Sequence, residues 1–431
     1  MNNIARFLPE NVRSFGEYEQ LRYFGKDRHT TLTNVQIEAQ ARALATGLRK
    51  RGIGRGDVVA VIVSNIAEIP ELMNGVMRTG ATYLPVIFAL TPPEIRAILQ
   101  DSGARLLITE EKVWPKVKEA CAGLRSVGEI VVIGGAAGSG VTSYGEVTAH
   151  SDALGDVQEV DPEDLAILMY TAGTTGSPKG VMLSHGNLET CMRDASTVWP
   201  SNHDDRVLIT VPMNHIYGVL FNTESIWLGA STVLLDWFNA EWVLELITEL
   251  KLTIVPLVPT MITMMMAAFD PAKHSMASVR RMISAGAPLA EETLTRAQVL
   301  FGLQLYHGYG LTEAASTVAR QREDRPFKYL SAGPPIPGLA LKLLSDDGEE
   351  VPPGSEGEIL IKGPGVTRGY WKKPEETAAS ITDGWLRTGD IGRFDEDGEL
   401  YITGRKKDII IRGGENIDPG VSENWLYRHP A

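Results

Sequence analysis

Apolar positions follow two different rhythms in the first third of the chain. Behind Thr33, a residue suited to cap a helix, Ile37, Ala41, Leu44 and Leu48 recur at helical spacing and mark one buried stripe. A β-branched run follows, DVVAVIVS from Asp57, then a helical stretch around PELMNGVM, the strand TYLPVIF, a helix at PPEIRAILQ and the strands ARLLIT and EIVVIG. Strands that alternate with helices in this way predict a parallel sheet covered by helices. The glycine-rich segment from Gly134 to Gly140 reads as a loop. A second α/β stretch extends to about residue 330, with strands at DRVLITVP, STVLLD, LTIVPLV, VRRMIS and LQLYHG and a helix at AEWVLELITEL. Past Gly333 the rhythm changes. The short strands LALKLLS, EGEILIKG, IGRFD and ELYITG are separated by SDDGEE, GPG and DEDG, the punctuation of antiparallel hairpins. The expected architecture is two stacked α/β subdomains, residues 1–185 and 186–330, followed by a small antiparallel β subdomain at 331–404 and a tail at 405–431.

One segment tests that reading. Leu252 to Phe269, LTIVPLVPTMITMMMAAF, carries no charge and nearly matches the length of a membrane span. Pro256 and Pro259 would interrupt it as a single helix, so a buried strand, a turn and a buried helix are expected instead, with no transmembrane segment. The N-terminus shows no apolar signal region, and Cys121 and Cys191 form neither a metal spacing nor a disulfide framework, which points to a reducing, cytoplasmic setting. With 43% hydrophobic and 22% charged residues, the composition is that of a soluble globular protein. The net charge of −13 argues against nucleic acid as partner, since a phosphate backbone requires a basic face. A phosphorylated small molecule needs only a few local cations.

Candidate chemistry enters at Tyr170 to Gly180, YTAGTTGSPKG, where five hydroxyl side chains, three glycines and one lysine follow the apolar run LAILM. Such a segment is either a polar surface turn or a phosphate cradle, in which glycines admit backbone N–H groups and Lys179 adds a charge. It is not the common nucleotide loop, because Pro178 precedes Lys179 and Gly180 follows it. Further glycine-bearing loops stand at the ends of predicted strands, where open α/β sheets bind ligands: SAGAPL (284–289) and HGYGLTE (307–313). RTGD (387–390) comes just before the last predicted hairpin, and GRKKD (404–408) closes it.

In this order the loops LMYTAGTTGSPKG, NHIYG, SAGAPL, GYGLTE, RTGD and GRKKDIIIRGGENI identify a resemblance. From about Thr30 to Asn416 the chain resembles the adenylate-forming superfamily of acyl-CoA synthetases, firefly-type luciferases and peptide-synthetase adenylation domains. The resemblance implies the large N-terminal domain of that family and an AMP-forming ligase that works in two steps. A thiol cannot displace oxide from a carboxylate, so the carboxylate first attacks the α-phosphate of ATP, and the thiol of CoA then attacks the acyl-AMP. Residue by residue, it implies that Thr171, Thr174, Thr175, Gly176 and Lys179 wrap the β- and γ-phosphates. Thr312 would bond the α-phosphate, and Glu313 would hold Mg²⁺. Gly286, Ala287 and Pro288 would line one face of adenine with Tyr309 on the other, and Asp390 would accept from the ribose, helped by Arg405. His215 would border the acyl pocket and, with Lys179, Thr312 and Glu313, take part in the chemistry.

Each residue also has a plainer reading. Thr312 is a good helix cap, Asp390 a good turn residue, Glu313 a complement to a helix dipole, and His215 a packed core histidine. His185 and His307 read as structural, and Met261, Met264, Met265 and Met266 as core more than acyl tunnel. The resemblance places a hinge at Lys407 and a pantetheine-tunnel glycine at Gly414, and makes residues 405–431 the hinge and stub of a C-terminal domain. Residues 408–431 are too few to fold alone, and Gly420 departs from the family's charged residue. The expectation is a piece of a longer synthetase that binds ATP but turns over poorly. A shorter natural product, or a non-catalytic nucleotide or carboxylate binder, are the alternatives. The stretch MNHIYGVLFN lacks the Phe-Asp-x-Ser aspartate that holds an amino-acid substrate. The expected substrates are therefore a carboxylic acid, ATP and CoA, the acid being a fatty acid or, as the alternative, an aromatic or alicyclic one. Val219, Leu257, Val258 and Met261 are the pocket candidates, and a homodimer is allowed.

Overall fold

The computed structural model describes residues 2–135, 140–150, 155–171 and 178–406, and the backbone alone at 410–412 and 415–417. Local chemistry sets the first long helix, Asn34–Lys50. Thr33 Oγ1 accepts from the Gln36 amide, and the Gln36 side chain accepts from the Thr33 amide, a reciprocal box worth about 1 kcal/mol. Ile37, Ala41, Leu44 and Leu48 are buried, as their spacing predicts.

Two large sheets follow. The first runs, edge to edge, through Thr142–Ser143, Glu129–Ile133, Leu106–Glu110, Val58–Ile62, Thr82–Pro85, Leu165–Thr171 and Lys179–Ser184, parallel except for the last pair. The second has eight strands in the order Ala319–Arg320, Leu305–Tyr309, Arg281–Ser284, Ile254–Leu257, Arg206–Ile209, Ser231–Leu235, Glu19–Phe24 and His29–Thr33. Its six inner strands are mutually parallel, and an antiparallel strand closes each edge. Strand alternation sorts the layers. Val59 and Val61 of the first sheet and Val207 and Ile209 of the second share one core with helices Asn34–Lys50, Ile69–Arg78 and Ile216–Leu228. The opposite faces pack outward: Val58, Ala60 and Ile62 on helix Pro92–Ser102, and Leu208 on helix Ala240–Leu250. Helices therefore lie between the sheets and on both outer faces. The third sheet is antiparallel and carries Ala340–Leu344, Glu356–Lys362, Trp385–Phe394, Ile381–Thr382 and Leu400–Arg405. The α/β class with two stacked layers and a small β unit stands as expected.

Three local expectations change. The division at residue 185 does not hold at the N-terminus, because Glu19–Phe24 and His29–Thr33 cross over to the second sheet. RTGD is not a loop before a hairpin but lies within the strand Trp385–Phe394. Lys179 opens a strand that folds back antiparallel on Leu165–Thr171, with Thr171 opposite Lys179, so the phosphate-type loop joins a hairpin. The uncharged segment is strand Ile254–Leu257 and helix Pro259–Ala268, and among the described residues no helix is long and apolar enough to cross a membrane.

Candidate active site

A cavity of about 710 Å³ opens where the three sheets meet. Thr171 comes from the first sheet; His215 and Gly286 follow strands of the second, and Gly308–Glu313 spans the carboxyl end of strand Leu305–Tyr309 and the turn beyond it. Asp390 and Arg405 come from the third. The crevice beyond the carboxyl ends of parallel strands is the usual ligand position in such folds.

The loop after strand Leu305–Tyr309 is held in an unusual path. A Cβ on Gly310 would sit 1.5 Å from the Ser316 carbonyl oxygen, so this position requires glycine. The chain makes a single 3₁₀ turn at Thr312–Ala314, then passes through positive φ at Ala315 (53°) and Ser316 (100°). Two consecutive non-glycine residues in that region store strain that tertiary packing must hold, a condition concentrated at functional sites. The turn buries Thr312 and presents Glu313 to the cavity. The Tyr370 hydroxyl donates to Glu313 Oε1 at 3.1 Å, and burial raises the Glu313 pKa above the ordinary carboxylate value.

Asp390 is 5% exposed and has a partner on each oxygen. The Tyr309 hydroxyl donates to Oδ2 at 2.7 Å, and Arg405 Nε donates to Oδ1 at 2.8 Å across the strand pair that sets Asp390 opposite Arg405. Burial and then the Asp390 charge push the Tyr309 pKa well above its usual value, so the phenol stays a donor. A carboxylate has about four lone-pair sites, so two acceptor positions stay free for a ligand.

Of the remaining expected residues, His215 borders the cavity and is open to it, not packed in the core. Its Nδ1 accepts from the Tyr217 amide at 3.2 Å, capping helix Ile216–Leu228, and the surrounding protein lowers its pKa. Gly286 lines the cavity at φ 82°, whereas Ala287 and Pro288 continue along the exposed rim and are not in its wall. Lys179 also stands outside the wall. Its Nζ pairs with Glu376 at 2.7 Å and sits 5.2 Å from the centre of the Tyr370 ring, one residue behind Glu313. Thr174, Thr175, Gly176, Lys407, Gly414 and Gly420 lie outside the residues whose side chains are described.

Of the acyl-pocket candidates, Val219 and Leu257 are buried in the cores, Met261 is partly buried, and Val258 lies beside Gly286 of the cavity wall, where a Cβ would meet it at 3.7 Å. Met265 is fully buried in the core of the second sheet, with Met261 and Met266 packed against it, while Met264 is exposed. His185 is structural: its Nδ1 accepts from the Ile4 amide and burial lowers its pKa to about 4. His307 is buried, and burial likewise lowers its pKa to about 4. The buried part of the cavity's lining includes Trp199, Tyr217, Phe221 and Arg320, none of which was singled out from sequence. Tyr370 was also missed, although the aromatic pair in TRGYW within a turn was an available signal.

No cluster of three or more His, Cys, Asp or Glu that suits a metal occurs among the described residues. Mg²⁺ does not need one, since it commonly takes one or two carboxylates plus substrate phosphates and waters. Glu313 fits that role: it is a half-buried carboxylate on the cavity wall, with the Lys179 charge nearby and one oxygen not bonded to Tyr370.

Comparison with known proteins agrees in scope with this geometry. The family described as AMP-binding enzyme matches residues 8–371. Feruloyl-CoA synthase of an Amycolatopsis species is 35% identical over 404 residues, 93% of this chain and 79% of that protein. The fatty acid–[acyl-carrier-protein] ligase ScoC of Streptomyces coeruleorubidus is 33% identical over 410 residues, 93% of this chain and 77% of the relative. Among solved structures, the anthranilate CoA ligase AuaEII in complex with anthranoyl-AMP superposes with a TM-score of 0.92 at 27% identity, covering 100% of this chain and 83% of that one.

Proposed function

Because this chain belongs to the AMP-binding enzymes, the family of the AMP-forming acyl- and aryl-CoA ligases, we propose that its three-sheet cavity activates an aryl carboxylic acid as acyl-AMP. The observation that carries this reading is the meeting of Thr171, Tyr309, Thr312, Glu313, Asp390 and Arg405, from three sheets, around one cavity. In the proposed roles, Asp390 accepts from the ribose hydroxyls while Tyr309 and Arg405 hold its carboxylate in place. Tyr309 and Gly286 flank adenine, and Ala287 and Pro288 on the rim close over its edge. Thr312 donates to the α-phosphate.

In the first step the substrate carboxylate attacks the α-phosphorus, the bond to the β-phosphate oxygen breaks, and pyrophosphate leaves. Charge builds on phosphate oxygens, so fixed donors act where it develops, and one well-placed donor is worth about 3 kcal/mol. Lys179 would reach the leaving phosphates by exchanging Glu376 for them. The exchange replaces one ion pair of a half-buried lysine with another, so the cation stays paired throughout. Thr171 together with Thr174, Thr175 and Gly176 would complete the cradle. Glu313 would hold Mg²⁺, which supplies charge neutralisation for the triphosphate. His215, neutral at pH 7 by the direction of its pKa, would orient the acid without adding charge. CoA as acceptor and a cytoplasmic setting complete the proposal.

An aryl acid is favoured over a fatty acid because the buried rings of Trp199, Tyr217 and Phe221 line the cavity, while Val219 and Leu257 pack in the cores. Feruloyl-CoA synthase and the anthranilate ligase support the same choice, while ScoC keeps a fatty acid as the second reading. Calorimetry tests the proposal with AMP, 3-phenylpropanoyl-sulfamoyladenosine and decanoyl-sulfamoyladenosine, stable mimics of acyl-AMP. The aryl mimic is expected to bind at least about 100-fold more tightly than AMP. Equal affinity of mimic and AMP refutes activation of an acid here, and tighter binding of the decanoyl mimic refutes the aryl preference.

A further inference from the structure

The buried part of the cavity is chemically unlike a greasy acyl tunnel. Arg320 lines it at 3% exposure, a depth at which arginine is rarely found unless paired. Its backbone is fixed by the short edge strand Ala319–Arg320 against Gly308 and Tyr309, and by Gly333, where a Cβ would meet the Arg320 carbonyl at 2.0 Å. Its guanidinium lies 4.7 Å from the centre of the Trp199 ring. Nη1 donates to the Ala195 carbonyl at 3.1 Å and Nη2 to Thr317 Oγ1 at 3.3 Å. A guanidinium has five N–H donors, so about three have no protein acceptor. Among the described residues no carboxylate lies within ion-pair distance of it. Glu224 on helix Ile216–Leu228 is buried, which raises its pKa, while the Arg320 charge pulls it back down.

Two neighbouring lining residues share this deficit. The Trp199 indole N–H and the Tyr217 hydroxyl are buried and have no hydrogen-bond partner. A buried donor left without an acceptor is destabilising, and an unpaired buried charge more so. Three lining residues with donors of this kind, two of them in contact with each other, form a receptor for an electronegative group. The arginine, whose fork matches a carboxylate, selects an anionic one.

Resting on the proposed acid activation, we infer that the acid this site accepts carries a second carboxylate at its far end, received by Arg320, Trp199 and Tyr217. The reactive carboxylate then faces the nucleotide and the distal one faces the arginine. A plain hydrocarbon chain would leave all three donors unsatisfied.

The test compares acyl-sulfamoyladenosines that differ only at the far end: 3-(4-carboxyphenyl)propanoyl, its methyl ester and the 4-hydroxyphenyl analogue, with adipoyl and its methyl ester as a shorter pair. Affinities are measured on the full chain and on Arg320→Met and Arg320→Lys, with the ligand-free melting temperature as the folding check. In at least one pair the wild-type chain is expected to bind the free acid about 10-fold or more tightly than the ester. Arg320→Met should bring acid and ester within about 3-fold, and Arg320→Lys should restore part of the difference. If Arg320→Met does not fold, the wild-type preference and the lysine variant decide alone. Equal binding of acid and ester in both pairs, tighter binding of the hydroxyl analogue, or a preference that survives Arg320→Met overturns the inference. Those results leave acid activation standing if the mimics still outbind AMP. Failure of every mimic to outbind AMP removes both.

Discussion

Asp390→Asn separates a nucleotide contact from a structural lock. The substitution keeps the side chain's shape, removes its charge and replaces one acceptor oxygen with a donor. In the free protein the Tyr309 hydroxyl would lose a charged acceptor at 2.7 Å and keep at best a neutral one. Charge-assisted bonds contribute about 1.5–3 kcal/mol and neutral ones about 0.5–1.5, so the loss is about 1 kcal/mol. The Arg405 pair adds at most about 1 kcal/mol, because Arg405 is 57% exposed and solvent screens it. The stability cost is then about 1–2 kcal/mol, a shift of a few degrees at most in a chain of this size. Binding should suffer more. The two free acceptor positions of Asp390 are the ones assigned to the ribose, and losing a charged acceptor weakens AMP by about 10- to 100-fold. Differential scanning calorimetry and AMP titration on the same preparation measure both quantities. A melting shift of the stated size with AMP affinity within about 3-fold of wild type would refute the ribose role and leave Asp390 as a lock between Tyr309 and Arg405.

Other perturbations probe the frame. Gly310→Ala places a methyl group in the Ser316 carbonyl, so it should cost about 3–5 kcal/mol in urea unfolding and abolish AMP binding; a stable variant with normal affinity would contradict the loop's described path. Glu71 is buried beside the Tyr144 hydroxyl at 2.7 Å, and burial pushes its pKa up to about 8. The folded state holds this proton more tightly than the unfolded chain. The stability present below about pH 4.5 is therefore lost at about 1.4 kcal/mol per pH unit as pH rises toward 8, and Glu71→Gln should flatten that slope; equal slopes in both proteins would refute it. His215→Ala removes a helix cap as well as a cavity group, so about 1 kcal/mol of stability should go with it, measured by urea unfolding, and no loss would show the cap bond to be without effect.

Much of this was legible in the chain because it is local. The capping box at Thr33 and Gln36, the β-branched runs of the parallel strands and the turn-bounded hairpins of the third sheet are each specified within a dozen residues. What escaped was non-local. Nothing in EQLRYF says that it pairs with Ser231–Leu235, more than two hundred positions away, in place of the strands that follow it. Lys179 reads as a free cation, yet a carboxylate on a helix almost two hundred residues later holds it. Arg320 shows the limit most clearly. A charged residue in STVARQRED looks like solvated surface, and only the approach of Gly333, Trp199 and Gly308 turns it into buried cavity lining.

The most direct measurement is a crystal structure of this chain with 3-phenylpropanoyl-sulfamoyladenosine bound. The expected density has adenine between Gly286 and Tyr309, the ribose hydroxyls on Asp390, the sulfamoyl group beside Thr312 and the phenyl ring toward Trp199 and Arg320. Adenosine bound outside the junction of the three sheets, or an acyl group directed away from Trp199, would contradict the assignment.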